Sequence, residues 1–164
     1  MSPFDADVRA LAEALLRRGW HLATAESCTG GLIAAACTSL AGSSDWFERG
    51  FVTYSNAAKT EMLGVDPALI AAQGAVSEGV VRAMAEGAIA RAGVELSVAV
   101  TGIAGPGGAT PGKPVGTVWL AVARREVDGA LQVRTERLHL PGNRAAVREQ
   151  TLRLALQRLR DAAA

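Results

Sequence analysis

The sequence predicts an α/β fold, a three-layer α/β/α sandwich whose mixed, mostly parallel sheet carries an antiparallel hairpin. Three observations lead there. Helical and strand periodicities follow one another in the order helix, strand, helix, strand, three helices, strand, which is the pattern of crossover connections. Leu96 to Val100 is an apolar run with the length and β-branching of a buried parallel strand. Gly116 to Ala123 and Leu131 to Leu140 read as two strands joined through Asp128 and Gly129, a hairpin signal.

Taken in order, Ser2, Pro3 and Asp5 mark a helix start, with Ser2 as the cap and Asp5 favoured by the helix dipole. Val8, Leu11, Ala12, Leu15 and Leu16 then recur at helical spacing until Gly19. Trp20 to Ala25 reads as a short buried strand and Leu32 to Leu40 as a helix, which makes Glu26 to Gly31 a strand-to-helix turn. Ala41 to Asp45 is a loop, and Gly50 to Tyr54 is a β-branched and aromatic strand. Asn56 is the expected N-cap of a helix ending at Gly64. Asp66 and Pro67 open a short helix, and Ser77 caps a longer one to Gly93, with Val80, Val81, Met84, Ala88 and Ala92 inward. Gly102 to Pro114 packs five glycines and three prolines into thirteen residues between two strands, so it is expected to cover a site. Asn143 caps the last helix, which turns Val147, Leu152, Leu156 and Leu159 inward.

At 164 residues, 49% hydrophobic and 20% charged, the chain suits one globular domain over 1–164. A net charge of +1 makes no electrostatic case for nucleic acid. No apolar run of about 18 residues is present, and Met1 to Trp20 has acids and arginines where a signal peptide needs an apolar centre. The expectation is therefore a cytoplasmic protein without a membrane partner. Cys28 and Cys37 lack metal-ligand spacing, and neither a metal nor another cofactor is expected. Among seventeen basic residues only Lys59 and Lys113 are lysines. A chain that uses arginine for its surface has reason to keep lysine where a titratable ammonium is needed.

The turn TAESCTGGLI, Thr24 to Ile33, is where ligands sit in open α/β sheets. Its glycines allow close backbone approach, and the free N–H groups of the following helix favour an anion or a developing oxyanion. Ser27 is the candidate nucleophile, with Lys59 as its base, since His21 and His139 both read as structural. A lysine acts as a base only when desolvation or nearby cations lower its pKa. Cys28, beside Ser27, is the competing nucleophile. Tyr54, the only tyrosine, reads either as a core strand residue or as a ligand contact. Arg144 opposes the dipole at the start of its helix, which suggests a purpose outside the helix, with Arg148 in holding a phosphate, the alternative being a simple surface arginine. Gly107 to Lys113 has the spacing G-x-x-x-x-G-K, but Pro114 replaces the Ser or Thr of a P-loop and a strand follows instead of a helix.

ESCTGG at 26–31, TYSNAAK at 53–59, GAVSE at 74–78, TGIAGPGGAT at 101–110, KPVGTV at 113–118 and PGNR at 141–144 together resemble the CinA C-terminal family over essentially the whole chain. The start of the first helix close to Met1 resembles the stand-alone members. The resemblance implies hydrolysis of the carboxamide of nicotinamide mononucleotide to nicotinic acid mononucleotide and ammonia, in pyridine nucleotide salvage and without a metal. It implies Ser27, Lys59, Tyr54 and Thr101 as catalytic residues, and Thr29, Gly30, Gly31, Asn56, Gly102, Gly105, Gly107 and Arg144 around the substrate. A homo-oligomer is expected. The alternative is a non-catalytic module that binds a pyridine nucleotide.

Overall fold

In the computed structural model, which describes residues 2–164, helix α1 (Asp5–Arg18) leads into strand β1 (Leu22–Glu26). The predicted domain boundary at Met1 lies outside the described residues. After β1 come α2 (Leu32–Thr38), a short 3₁₀ turn (Ser43–Asp45), β2 (Phe47–Val52), α3 (Asn56–Leu63), α4 (Pro67–Gln73) and α5 (Glu78–Ala92). The chain closes with β3 (Leu96–Gly102), β4 (Thr117–Arg125), β5 (Leu131–His139) and α6 (Arg144–Ala163). The five strands form one mixed sheet in the order β2-β1-β3-β4-β5. β1 pairs in parallel with β2 and β3, and β4 pairs antiparallel with both β3 and β5. Parallel and antiparallel ladders are thus equal in number, because the glycine loop returns the chain beside β3 without a crossover helix.

The two faces of the sheet have different side chains and different partners. Leu22, Leu96, Val98, Val100, Val118, Leu120 and Val122 pack against α1, α2 and α6. The other face is lined mainly by alanine, Ala23, Ala25, Ala99, Ala121 and Ala123, and receives α5 with Leu63 and Ile70 from α3 and α4. Short side chains let that helix layer come close. At Gly87 a Cβ would stand 2.1 Å from the Leu63 carbonyl oxygen, so α5 meets the end of α3 backbone to side.

Several local expectations shift. Ser2 does not cap α1; Phe4 holds the N-cap position and the Ser2 hydroxyl accepts from the Phe4 N–H. Leu16 points to solvent, 53% exposed, because α1 buries its stripe through Leu11 and Leu15. Ser55, and not Asn56, caps α3, accepting from the Ala58 N–H at 3.0 Å. β2 begins at Phe47 and ends at Val52, so Thr53 and Tyr54 fall in the connection to α3.

This topology makes one crevice. From β1 the chain passes to β2 on one side by way of α2, and later to β3 on the other side by way of α3 to α5. The carboxyl ends of β1, β2 and β3 lie at the same edge, and the crevice outside such a reversal is where open α/β sheets hold ligands.

Candidate active site

The turn after β1 is held from three directions. Ser27 N–H donates to the Val100 carbonyl of β3 at 3.1 Å, and Gly30 N–H donates to the Ser27 carbonyl at 3.0 Å. Gly30 and Gly31 have φ of 59° and 107°, which favour glycine, and these two residues carry the strand into α2. Beneath the turn, the fully buried Glu26 carboxylate accepts from Thr29 Oγ1 at 2.6 Å, Ile33 N–H at 2.9 Å and Ala34 N–H at 3.0 Å. The anion at the start of α2 is therefore the protein's own side chain, and those helical N–H groups are not free for substrate. Above it, Arg148 of α6 donates to the carbonyls of Cys28 and Thr29, both at 3.2 Å. The N–H groups of Thr29 and Gly31 have no acceptor among the described residues, and that of Cys28 has only its own Sγ.

Lys59 reaches this turn from the first turns of α3. It is 1% exposed, and its Nζ lies 3.1 Å from Ser27 Oγ, 2.9 Å from the Thr53 carbonyl oxygen and 3.4 Å from that of Tyr54. Burial pushes its pKa below the ordinary lysine value, the charged form losing its hydration; no nearby cation is needed for this. With two N–H bonds on the backbone carbonyls, a neutral Lys59 has its lone pair left for the Ser27 hydroxyl hydrogen. Burial has the opposite consequence for Cys28, whose thiol is pushed up to about 11, and for Cys37, pushed up to about 12. A thiol so disfavoured as thiolate is a poor nucleophile near neutral pH.

Ser27 and Lys59 line a cavity of about 220 Å³ together with Cys28, Tyr54, Asn56, Ala75, Val76, Thr101, Gly102, Ala104 and Arg144. At its mouth, Arg144 donates to the Gly105 carbonyl and to the Tyr54 hydroxyl, each at 2.9 Å. A second hollow of about 560 Å³ adjoins it, sharing Ala104 and Arg144 and reaching Gly142 and Asn143 at the start of α6. Another hollow, of about 450 Å³, lies at the opposite end of the sheet, rimmed by Arg158 paired with Glu136 at 2.7 Å and by Arg124.

This constellation is carried by motifs that one profile matches from end to end: the CinA C-terminal domain covers residues 6–163. The chain belongs to the CinA C-terminal domain family. A nicotinamide-nucleotide amidohydrolase PncC of Pseudomonas putida is 52% identical over 159 residues, spanning 97% of this chain and 96% of its own length. A CinA-like protein of Mycolicibacterium gilvum is 56% identical over 149 residues, and there this chain spans about a third, 34%, of the relative's length. The crystal structure of a competence-damaged protein (CinA) superfamily protein from Klebsiella pneumoniae superposes with a TM-score of 0.91 at 38% identity, over 99% of this chain and 98% of that one.

In this CinA domain, Ser27, Tyr54, Asn56, Lys59, Thr101, Gly102 and Arg144 meet at one cavity. Thr29 does not line it; it is buried with its hydroxyl on Glu26. Gly30 and Gly31 shape the turn from outside the cavity, where a Cβ would meet Arg148 and Val52 respectively. Gly105 contributes its carbonyl to Arg144, and Gly107 is exposed with open space around it. Arg148, expected near phosphate, is taken up by the turn carbonyls. Tyr54 is no core residue: it is 59% exposed beside the mouth. His21 lies 3.9 Å from Glu95, away from Ser27, and His139 is exposed. Lys113 donates to the Gln73 carbonyl at 2.7 Å, which ties the glycine loop to the end of α4.

The residues with no assigned role were Glu26, Thr53 and Ala75. For Glu26 the signal was an acid at the end of a strand whose turn leads into a helix start, where an anion is favoured. Thr53 and Ala75 act through backbone carbonyls, which side-chain chemistry does not announce.

Proposed function

We propose that this chain hydrolyses the carboxamide of nicotinamide mononucleotide to nicotinic acid mononucleotide and ammonia. The observation that carries the reading is the buried Lys59 amine, anchored on two carbonyls with Ser27 Oγ at its third position. The name of the Pseudomonas putida relative, similar over nearly its whole length, supplies the substrate class.

On this reading Ser27 Oγ attacks the amide carbon as Lys59 takes its proton. The backbone N–H of Cys28, the residue that follows the nucleophile and lines the cavity, stabilises the tetrahedral oxyanion. Lys59 then returns the proton to the departing nitrogen, ammonia leaves, and water attacks the acyl-serine with Lys59 again as base. Thr101 and Asn56 line the carboxamide end. Arg144 stands where the cavity opens into the adjoining hollow, the place for ribose and phosphate, with Gly102 and Gly105 setting the loop beside it.

The unpaired edge of β5 and the exposed Leu131 on it support a homo-oligomer. Two buried thiols that form no disulfide suit a cytoplasmic location. Among the described residues, no helix is long and apolar enough to cross a membrane.

The deciding experiment measures ammonia and nicotinic acid mononucleotide formed from nicotinamide mononucleotide by the purified chain. Release of both supports the amidohydrolase. Binding of the nucleotide without release would make the chain a pyridine-nucleotide-binding module.

A further inference from the structure

Thr101, the penultimate residue of β3, lines the cavity, and its Oγ1 lies 3.0 Å from the Ala75 carbonyl oxygen. A carbonyl has no hydrogen to give, so the single hydroxyl hydrogen of Thr101 points at Ala75. What remains on Oγ1 is acceptor capacity alone. The hydroxyl has no easy alternative, because turning away would leave the Ala75 carbonyl without this partner.

The segment that presents Ala75 is itself fixed. The Ser77 hydroxyl donates to the Gly74 carbonyl at 2.8 Å, the Gly74 N–H donates to the Ile70 carbonyl at 2.8 Å, and Lys113 holds the Gln73 carbonyl. Thr101 is 1% exposed, so its side chain is set into the wall of the cavity that it lines. Unlike the Ser27 hydroxyl and the Asn56 amide in the same cavity, which can turn to donate or accept, the Thr101 hydroxyl has its orientation set by Ala75. Thr101 is thus an acceptor of fixed direction in the cavity wall, its one hydrogen already committed.

We propose that Thr101 is the residue that distinguishes amide from acid: its Oγ1 accepts a hydrogen bond from the substrate carboxamide NH₂. This rests on the amidohydrolase reading and extends it to the selection between substrate and product. The nitrogen carries hydrogens as amide, through the tetrahedral intermediate and as departing ammonia, so Thr101 holds it at every stage. The product carboxylate carries none. An oxygen in the place of the nitrogen then faces the Thr101 lone pairs, which weakens product binding and favours its release.

The test uses Ser27→Ala protein, in which no turnover disturbs binding, and calorimetric titration at pH 7 with nicotinamide mononucleotide and with nicotinic acid mononucleotide. With Thr101 in place the amide binds more tightly than the acid. Thr101→Val loses the acceptor at nearly constant shape and lowers that preference about tenfold, the size expected when one hydrogen bond is lost and one repulsion removed. Thr101→Ser restores most of the preference. Thr101→Ala, which relaxes the volume, shows the same loss as valine should the valine variant fold poorly. An amide-to-acid ratio that is unchanged in the valine or alanine variant overturns the inference, even if both affinities fall, and so does the absence of any preference with Thr101 present. Failure of the well-folded Ser27→Ala protein to bind either nucleotide overturns the amidohydrolase reading, and the inference with it.

Discussion

Lys59 Nζ stands 3.1 Å from Ser27 Oγ while the Thr53 carbonyl holds it from behind at 2.9 Å. Burial lowers the pKa of this amine, so the neutral, proton-accepting form grows as pH rises through a value below that of an ordinary lysine. The catalytic efficiency kcat/KM should therefore rise with pH along a limb that belongs to Lys59. Lys59→Arg keeps a charge that cannot be removed and should lose at least the 10²- to 10⁴-fold typical, to order of magnitude, of a general base. Lys113→Arg, whose parent lysine only tethers the glycine loop, should lose much less. Near-normal rates in Lys59→Arg with the same pH limb would mean that another group is the base.

Ser27→Ala should abolish turnover and leave the fold intact, since the hydroxyl touches only Lys59. Cys28→Ala should retain most activity, because a thiol pushed up to about 11 contributes almost no thiolate at pH 7. Parallel assays of the two variants decide the nucleophile, and the reverse pattern would assign the chemistry to sulfur.

Arg144 bridges the Gly105 carbonyl and the Tyr54 hydroxyl at the cavity mouth. If it pairs with the nucleotide phosphate, Arg144→Ala should cost roughly 1.5 to 3 kcal/mol in kcat/KM, the range for a charge-assisted hydrogen bond. Nicotinamide riboside, which has no phosphate, should feel the change far less. Equal losses on the two substrates would remove Arg144 from phosphate recognition.

Glu26 satisfies three donors with two carboxylate oxygens. Glu26→Gln keeps one of those oxygens and turns an amide towards at least one buried N–H, so it should destabilise the fold by about 1 to 3 kcal/mol. Urea unfolding measures this directly. An unchanged midpoint would show that the carboxylate is not what holds the start of α2.

Most of the element order was legible because each helix carries a marked stop or start. Gly19, Gly64 and Gly93 adopt positive φ where helical periodicity ends, and Ser77, Asp66 and Asn143 cap where it was expected to begin. The failures were positional. Ser55 and Asn56 are both competent caps, and one residue of slip moves the role between them. The extent of antiparallel pairing was hidden because glycine-rich loops have no period, so the return of β4 alongside β3 could not be read from Gly102 to Pro114. Within the site, Ser27 and Lys59 were singled out for their chemistry, and the fold brings them to 3.1 Å across 32 residues of sequence. Thr29 was misplaced because a hydroxyl beside a glycine turn suits both a ligand contact and a buried carboxylate partner, and only packing separates the two.

The hydrogen bonds from Arg148 to the Cys28 and Thr29 carbonyls join positions 120 and 119 residues apart in sequence. A chain made from its amino end places Ser27 early and the residue that holds its turn almost last. Until α6 docks, the β3 and Glu26 contacts can hold the turn around Ser27, but the Cys28 and Thr29 carbonyls lack the Arg148 guanidinium. On the amidohydrolase reading the site is complete only with the last helix, which also carries Arg144, so the time course of activity during refolding should follow the docking of α6 rather than the formation of the sheet.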